Sequence, residues 1–355
     1  MSKFLKNCFS NLQAYVPGEQ PNDGEYIKLN TNESPFPPSQ KVIDAVSSLE
    51  VEKLRLYSDP TATCLKEKIA ALYGVKTDNV YVANGSDDIL NFSFMIFSGD
   101  NGEAVFPEIS YGFYKVFAEL YGIKSEQIPL KEDFSIDYKD YIGKNKFIVI
   151  ANPNAPTGLT LTLEQIEEIL KTNKNNVVLI DEAYIDFGGE SAVKLVSKYD
   201  NLLVSMTFSK SRCMAGGRLG FAIGNSQIIK DLELIKYSTN PYNINRLTLV
   251  AGQATIDDNN YYLQCCKTII KNREYTVSEL KKLGFYVTDS KANFVFAQCD
   301  WIDGETLYKK LKERKILVRH FSDKKICNFN RITIGTLNEM ETLIENIKSI
   351  KEETV

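Results

Sequence analysis

A lysine flanked by two serines, with an arginine eight residues further on among glycines, is the arrangement in this sequence that most directly suggests chemistry. Thr207 to Gly220 reads T-F-S-K-S-R-C-M-A-G-G-R-L-G, which places Lys210 between Ser209 and Ser211, just after the apolar run Leu202 to Met206. An amine held in a pocket rather than in water can lose its proton and condense with an aldehyde. Ser209 and Arg218 could then bind a phosphate, the glycines permitting close approach of the backbone. A polar loop with a structural ion pair would use the same residues.

Asp181 follows four apolar residues in V-V-L-I-D-E-A-Y. A carboxylate there must be paired, capping or functional, because burying it alone is costly. Beside a heteroaromatic ring it would keep a ring nitrogen protonated, and Tyr184, three residues on, would reach a ring hydroxyl. Gly85, Ser86 and Asp87 stand between Val80 to Ala83 and the apolar stretch Ile89 to Phe97. Their N–H groups would crown a helix N-terminus and favour an anion, although an ordinary helix cap needs the same residues. Tyr111, in P-E-I-S-Y-G-F-Y, could stack on an aromatic ring or simply pack in the core.

These residues share a place in the chain's rhythm. From about residue 79 to 225, short runs rich in Val, Ile and Phe alternate with amphipathic stretches, which argues for an α/β fold with a mostly parallel sheet wrapped by helices. Val80 to Ala83, Phe147 to Ala151, Val177 to Ile180 and Leu202 to Met206 are each followed at once by polar residues. Open parallel sheets place their ligand crevice beyond the carboxyl ends of the strands, so those polar ends are expected to converge. Helices are predicted over Thr162 to Thr172, Gln227 to Lys236 and Tyr261 to Leu283, the last stopped by Gly284. Beyond it come Phe285 to Val287, Phe294 to Phe296, a helix from Glu305 to Arg314, Ile316 to Arg319, Arg331 to Ile334, and a helix around Glu339 to Ile350. The expected organisation is an N-terminal arm (1–28), a large domain (29–245) and a smaller C-terminal α/β domain (246–355).

At 355 residues, 43% hydrophobic and 25% charged, the chain can bury a large core. A net charge of −4 without basic runs speaks against nucleic acid or an anionic membrane as partner. Seven cysteines, an odd number without metal-ligand spacing, suggest reduced thiols and a cytoplasmic protein. No stretch approaches the length needed to span a bilayer, and the first residues lack a long apolar segment.

Taken together, the motifs resemble the histidinol-phosphate aminotransferase branch of the fold-type I pyridoxal-phosphate (PLP) enzymes. The matching stretches are Y-V-P-G (Tyr15 to Gly18), L-N-T-N-E-S-P (Leu29 to Pro35), Y-S-D-P (Tyr57 to Pro60), N-G-S-D (Asn84 to Asp87), P-T-G (Pro156 to Gly158), D-E-A-Y (Asp181 to Tyr184), P-Y-N-I-N (Pro241 to Asn245) and R-I-T-I-G-T (Arg331 to Thr336). The resemblance implies the PLP-dependent transferase fold of type I, with Lys210 as the Schiff-base lysine and proton shuttle. It implies Asp181 on the pyridine nitrogen, Tyr184 on the ring oxygen and Tyr111 stacked on the ring. Gly85, Ser86, Asp87, Ser209 and Arg218 would hold the phosphate, joined by Tyr57 from a second subunit of a homodimer.

One position departs from the family, whose members commonly carry Asn just before P-T-G to contact the ring oxygen. Here N-P-N-A-P-T-G puts Ala155 there. Asn152 or Asn154 would substitute, or Tyr184 would act alone; Asn154 is taken as the cofactor contact. For the substrate, Arg331 resembles the family's anion-binding arginine, and Arg319, in I-L-V-R-H, is a second candidate. A guanidinium suits carboxylate and phosphate alike, and with Tyr15 the two would fit the phosphate of histidinol phosphate and, in turn, a carboxylate of glutamate. His320, the sole histidine, is taken as incidental. The implied partners are a small-molecule amino donor and a keto acceptor in a ping-pong transamination. Aromatic aminotransferases and threonine-phosphate decarboxylases share the same cofactor motifs, so the substrate stays open at this point. A non-catalytic PLP-binding protein is a further alternative; a dinucleotide enzyme is disfavoured, since no G-x-G-x-x-G follows an early strand.

Overall fold

The structure, a computed structural model, describes residues 4–9, 12–21 and 23–354, so parts of the expected arm and the last residue lie outside the described residues. In chain order the strands are β1 (Ile27–Lys28), β2 (Val80–Ala83), β3 (Glu103–Pro107), β4 (Lys124–Ile128), β5 (Phe147–Ala151), β6 (Val178–Asp181), β7 (Leu202–Thr207), β8 (Gly220–Gly224), β9 (Phe285–Val287), β10 (Phe294–Cys299), β11 (Ile316–Leu317), β12 (Arg319–His320) and β13 (Asn330–Thr333). Seven of them form one sheet in the order β2-β8-β7-β6-β5-β3-β4. β8 alone runs against its neighbours β2 and β7; the rest of the sheet is parallel.

The side-chain period of two divides each strand between two cores. Ile148, Ile150, Val178, Ile180, Leu202 and Val204 face one layer, where the helices Thr63–Tyr73, Leu163–Thr172 and Arg246–Asp257 pack. Phe147, Val149, Leu179 and Leu203 face the other, under the helices Ser86–Phe97, Phe113–Leu120 and Ser226–Thr239. Burial on both faces explains why these strands read as continuous apolar runs. Each fully buried Val or Ile contributes about 1.5–3 kcal/mol.

A second, antiparallel sheet, β12-β13-β10-β9, packs against the long helix Asn259–Lys282 and the final helix Leu337–Thr354. Gly284 follows the long helix at φ +89°, the left-handed backbone that ends it where the sequence predicts. The single run expected over Ile316 to Arg319 serves two sheets: β11 pairs in parallel with β1, while β12 pairs with β13. Among the described residues no helix is long and apolar enough to cross a membrane.

Candidate active site

The carboxyl ends of β5, β6 and β7 open into a cavity of about 680 Å³, completed by the start of the helix Ser86–Phe97, by residues 15–20 and 30–33 and by the β12 and β13 edge of the second sheet. Of the residues singled out from sequence, Tyr15, Ser86, Asp87, Tyr111, Asp181, Tyr184, Ser209, Lys210, Arg218, Arg319 and Arg331 all line it.

Strand register puts Asp181 on the same face as Leu179, so its carboxylate meets the helix Phe113–Leu120. There Tyr114 donates its hydroxyl to Oδ2 at 2.8 Å. The other oxygen, Oδ1, is buried and has no hydrogen-bond partner. Burial pushes the carboxyl up to about 6, against the pull of the Tyr114 hydrogen bond. An orphaned acceptor at a cavity wall is what a protonated ring nitrogen would satisfy.

Lys210, at the turn after β7, donates from Nζ to the carbonyl of Thr31 at 3.1 Å and lies 5.8 Å from the centre of the Tyr184 ring. Burial, helped by the positive charge of Arg331, pulls its pKa down to about 8. Such an amine is neutral far more often near pH 7 than a surface lysine. Tyr184 accepts at its hydroxyl from Asn32 Nδ2 at 3.0 Å, and its ring meets Phe294 edge-on at 5.1 Å.

The anion end is built from backbone. Gly85, at φ +83°, precedes the helix Ser86–Phe97, and Gly220 on β8 lies so near that a Cβ there would stand 2.5 Å from Ser86 N. Arg218 borders this cradle and pairs with Asp87 Oδ2 at 3.2 Å, so the ion pair of the plainer reading does exist; Asp87 Oδ1 accepts from Tyr111 at 2.8 Å. Ser209 receives the hydroxyl hydrogen of Thr207 at 3.0 Å.

Arg319 and Arg331 face each other across the β12–β13 pair. Neither has a carboxylate within ion-pair distance among the described residues. Arg331 donates to the Asn30 carbonyl at 2.9 Å, and its buried Nε has no partner. Arg319 donates to the carbonyls of Val16 and Pro17 at 3.2 and 3.3 Å, holding the Tyr15 segment over the cavity. Tyr15 stacks on Phe113 at 4.3 Å.

Gly85 borders the cavity without lining it, and two expected side-chain contacts are not brought to it. Asn154 is turned away: its amide donates to the Ile109 carbonyl and to Thr157, and its oxygen accepts from Ser110, so its polar atoms are committed to the loop beneath. Asn152 is likewise occupied by Leu161. Ala155 does line the cavity, its methyl packed with Ala292 and Phe294 against the Tyr184 ring. Tyr57 lies outside the cavity of its own chain, 78% exposed and stacked on Tyr242 at 4.4 Å. Sequence reasoning missed Thr31, Asn32 and Tyr114. The first two sit within L-N-T-N-E-S-P, a motif noticed but not resolved into roles, and Tyr114 closes P-E-I-S-Y-G-F-Y, where only Tyr111 was singled out.

Residues 24–347 match the family model of aminotransferases of class I and II, and the chain belongs to that family of PLP-dependent enzymes. Within it, the chain is 52% identical over 351 residues to the histidinol-phosphate aminotransferase of Brachyspira hyodysenteriae, covering 99% of each chain. It is 47% identical over 350 residues to that of Clostridium beijerinckii, covering 99% of this chain and 98% of the relative. The solved histidinol-phosphate aminotransferase of Sinorhizobium meliloti, in complex with pyridoxal-5′-phosphate, superposes with a TM-score of 0.88 at 20% identity over 99% of each chain, a likeness of fold.

Proposed function

We propose that this aminotransferase moves an amino group from glutamate to imidazole-acetol phosphate, giving histidinol phosphate and 2-oxoglutarate in histidine biosynthesis. The observation that carries the reading is the pair Arg319 and Arg331, two guanidiniums without a carboxylate partner in the cavity that also holds Lys210 and the orphaned oxygen of Asp181. A substrate that is phosphorylated in one half-reaction and dicarboxylic in the other needs cationic capacity of this kind.

Bound pyridoxal phosphate supplies an aldehyde that takes up and returns the amino group and a ring that draws electrons from the substrate carbon. Asp181 Oδ1 would hold the proton on the ring nitrogen, Tyr184 would donate to the ring oxygen, and Tyr111 would pack on the ring. The Gly85, Ser86 and Asp87 backbone, with Ser209 and Arg218, would hold the phosphate at the positive end of the helix. Lys210 Nζ would take the proton from the substrate carbon bearing nitrogen and deliver it to the cofactor carbon that carries the amino group, a task suited to an amine whose pKa lies near 8. Arg331 and Arg319, with Tyr15, bind the substrate anion. Asn154 braces the loop at Ile109 instead of touching the ring.

Tyr57 completes the phosphate site of a neighbouring subunit in a homodimer, which accounts for a tyrosine so exposed at the edge of an apolar surface. The unpaired cysteines fit a cytoplasmic enzyme.

Steady-state kinetics with 2-oxoglutarate as acceptor test the substrate. The kcat/KM for histidinol phosphate is expected to exceed that for phenylalanine by about 10- to 100-fold, the value of one charge-assisted contact to phosphate. A preference for phenylalanine would assign the enzyme to aromatic amino acids.

A further inference from the structure

Asn32 is a buried residue with left-handed backbone, φ +56°, a conformation that Asn tolerates better than most residues but that still has to be held in place. Three hydrogen bonds hold it. Its carbonyl accepts from Asn293 Nδ2 at 3.0 Å, its N–H donates to Thr333 Oγ1 at 3.0 Å, and its Oδ1 accepts from the Thr333 hydroxyl at 3.0 Å. That leaves Nδ2 facing the Tyr184 hydroxyl at 3.0 Å.

The directions of these bonds make one series. The Asn32 N–H can only donate, so Thr333 accepts there, and the one hydrogen of its hydroxyl goes to Asn32 Oδ1. Fixing Oδ1 as acceptor turns Nδ2 toward Tyr184, whose oxygen accepts. The Tyr184 hydrogen must therefore go elsewhere. Ala155, Ala292 and Phe294 pack against the ring, and none of their side chains offers an acceptor. What remains is the cavity. Burial pushes the Tyr184 hydroxyl up, so it keeps this hydrogen at neutral pH.

We propose that Thr333 and Asn32 form a one-way hydrogen-bond chain that fixes Tyr184 as a donor into the cavity, making both of them positioning residues for the ring oxygen of the cofactor. The chain rests on the reading of the cavity as a PLP site. With Ala155 unable to donate to the ring oxygen, the chain keeps the tyrosine hydrogen directed there.

The test is a pH titration of the visible absorption of the PLP-loaded enzyme, with the dissociation constant for PLP measured on the same proteins. Removing a donor from the ring oxygen leaves more negative charge on it, so the chromophore keeps its proton to higher pH. Tyr184→Phe sets the scale, with a titration midpoint expected at least about one pH unit above wild type. Thr333→Val is expected to move the midpoint the same way, because the amide is then free to flip and take the tyrosine hydrogen. Thr333→Ser keeps the hydroxyl and is expected to titrate like wild type. Asn32→Asp offers two acceptors and no donor, and is expected to shift at least as far as Thr333→Val; it carries the test if the valine variant does not fold. A wild-type midpoint in both Thr333→Val and Asn32→Asp, with Tyr184→Phe shifted, overturns the chain. An unshifted Tyr184→Phe overturns it at its endpoint, by removing Tyr184 from the ring oxygen. A wild-type protein that gains no visible band with PLP overturns instead the cofactor reading beneath it.

Discussion

Lys210 is the residue on which the chemistry converges, and its environment makes a prediction that needs no turnover. Burial comes first and the Arg331 charge second among the causes that lower its pKa to about 8. An amine must be neutral to attack an aldehyde, so covalent capture of PLP by the apoenzyme is expected to accelerate with pH through a midpoint near 8. Removing the positive charge in Arg331→Gln eases protonation of the amine, so the midpoint is expected to move upward, while Arg331→Lys keeps the charge and leaves it nearer the wild-type value. Stopped-flow absorbance across pH checks both. The cavity position of Asp181 was legible in the sequence because a carboxylate at the end of a buried strand has few tolerable environments, and that of Lys210 because it stands between two serines in the turn that follows one. Asn32 and Thr333 were not, since their contact spans 301 positions. The direction of Asn154 was not legible, because sequence names the amides in N-P-N-A-P-T-G without saying which way each one turns.

The elements that carry these residues differ in how openly they declare themselves. Strands buried on both faces, such as Phe147–Ala151 and Leu202–Thr207, are uninterrupted apolar runs, and the long helix is closed by Gly284 as expected. β4, with the sequence KSEQI at the sheet edge, is mostly polar and offers no such pattern. The reversed direction of β8 is invisible in its composition, because pairing sense is settled by connections and not by residue type. β8 nevertheless matters to the site, since Gly220 lets the strand pass against the Gly85–Ser86 peptide. In Gly220→Ala the new methyl would press on backbone 2.5 Å away, which cannot move aside as a side chain would. The expected result is a loss of about 1–3 kcal/mol of stability together with weaker PLP binding, measured by thermal unfolding and by titration of the apoenzyme.

At the scale of the whole molecule, the exposed surface near Tyr57 includes Leu54 and Leu56, each about half exposed, and Tyr242. An apolar patch of this kind suits a subunit interface. If Tyr57 serves a neighbouring site, mixing inactive Lys210→Ala with impaired Tyr57→Ala is expected to restore part of the activity, because one site of each hybrid dimer then has both residues intact; no gain on mixing of subunits that exchange would mean that Tyr57 does not serve the neighbouring site. The tie between the beginning and the end of the chain has a different consequence. β1 pairs with β11, Leu29 accepts from the Thr333 N–H, and Asn32 is clamped by the same threonine. A ribosome must therefore translate past Thr333 before the front wall of the cavity has anything to close against, and a chain released before that point, even with its seven-stranded sheet complete, would hold the vitamin-derived ligand loosely or not at all.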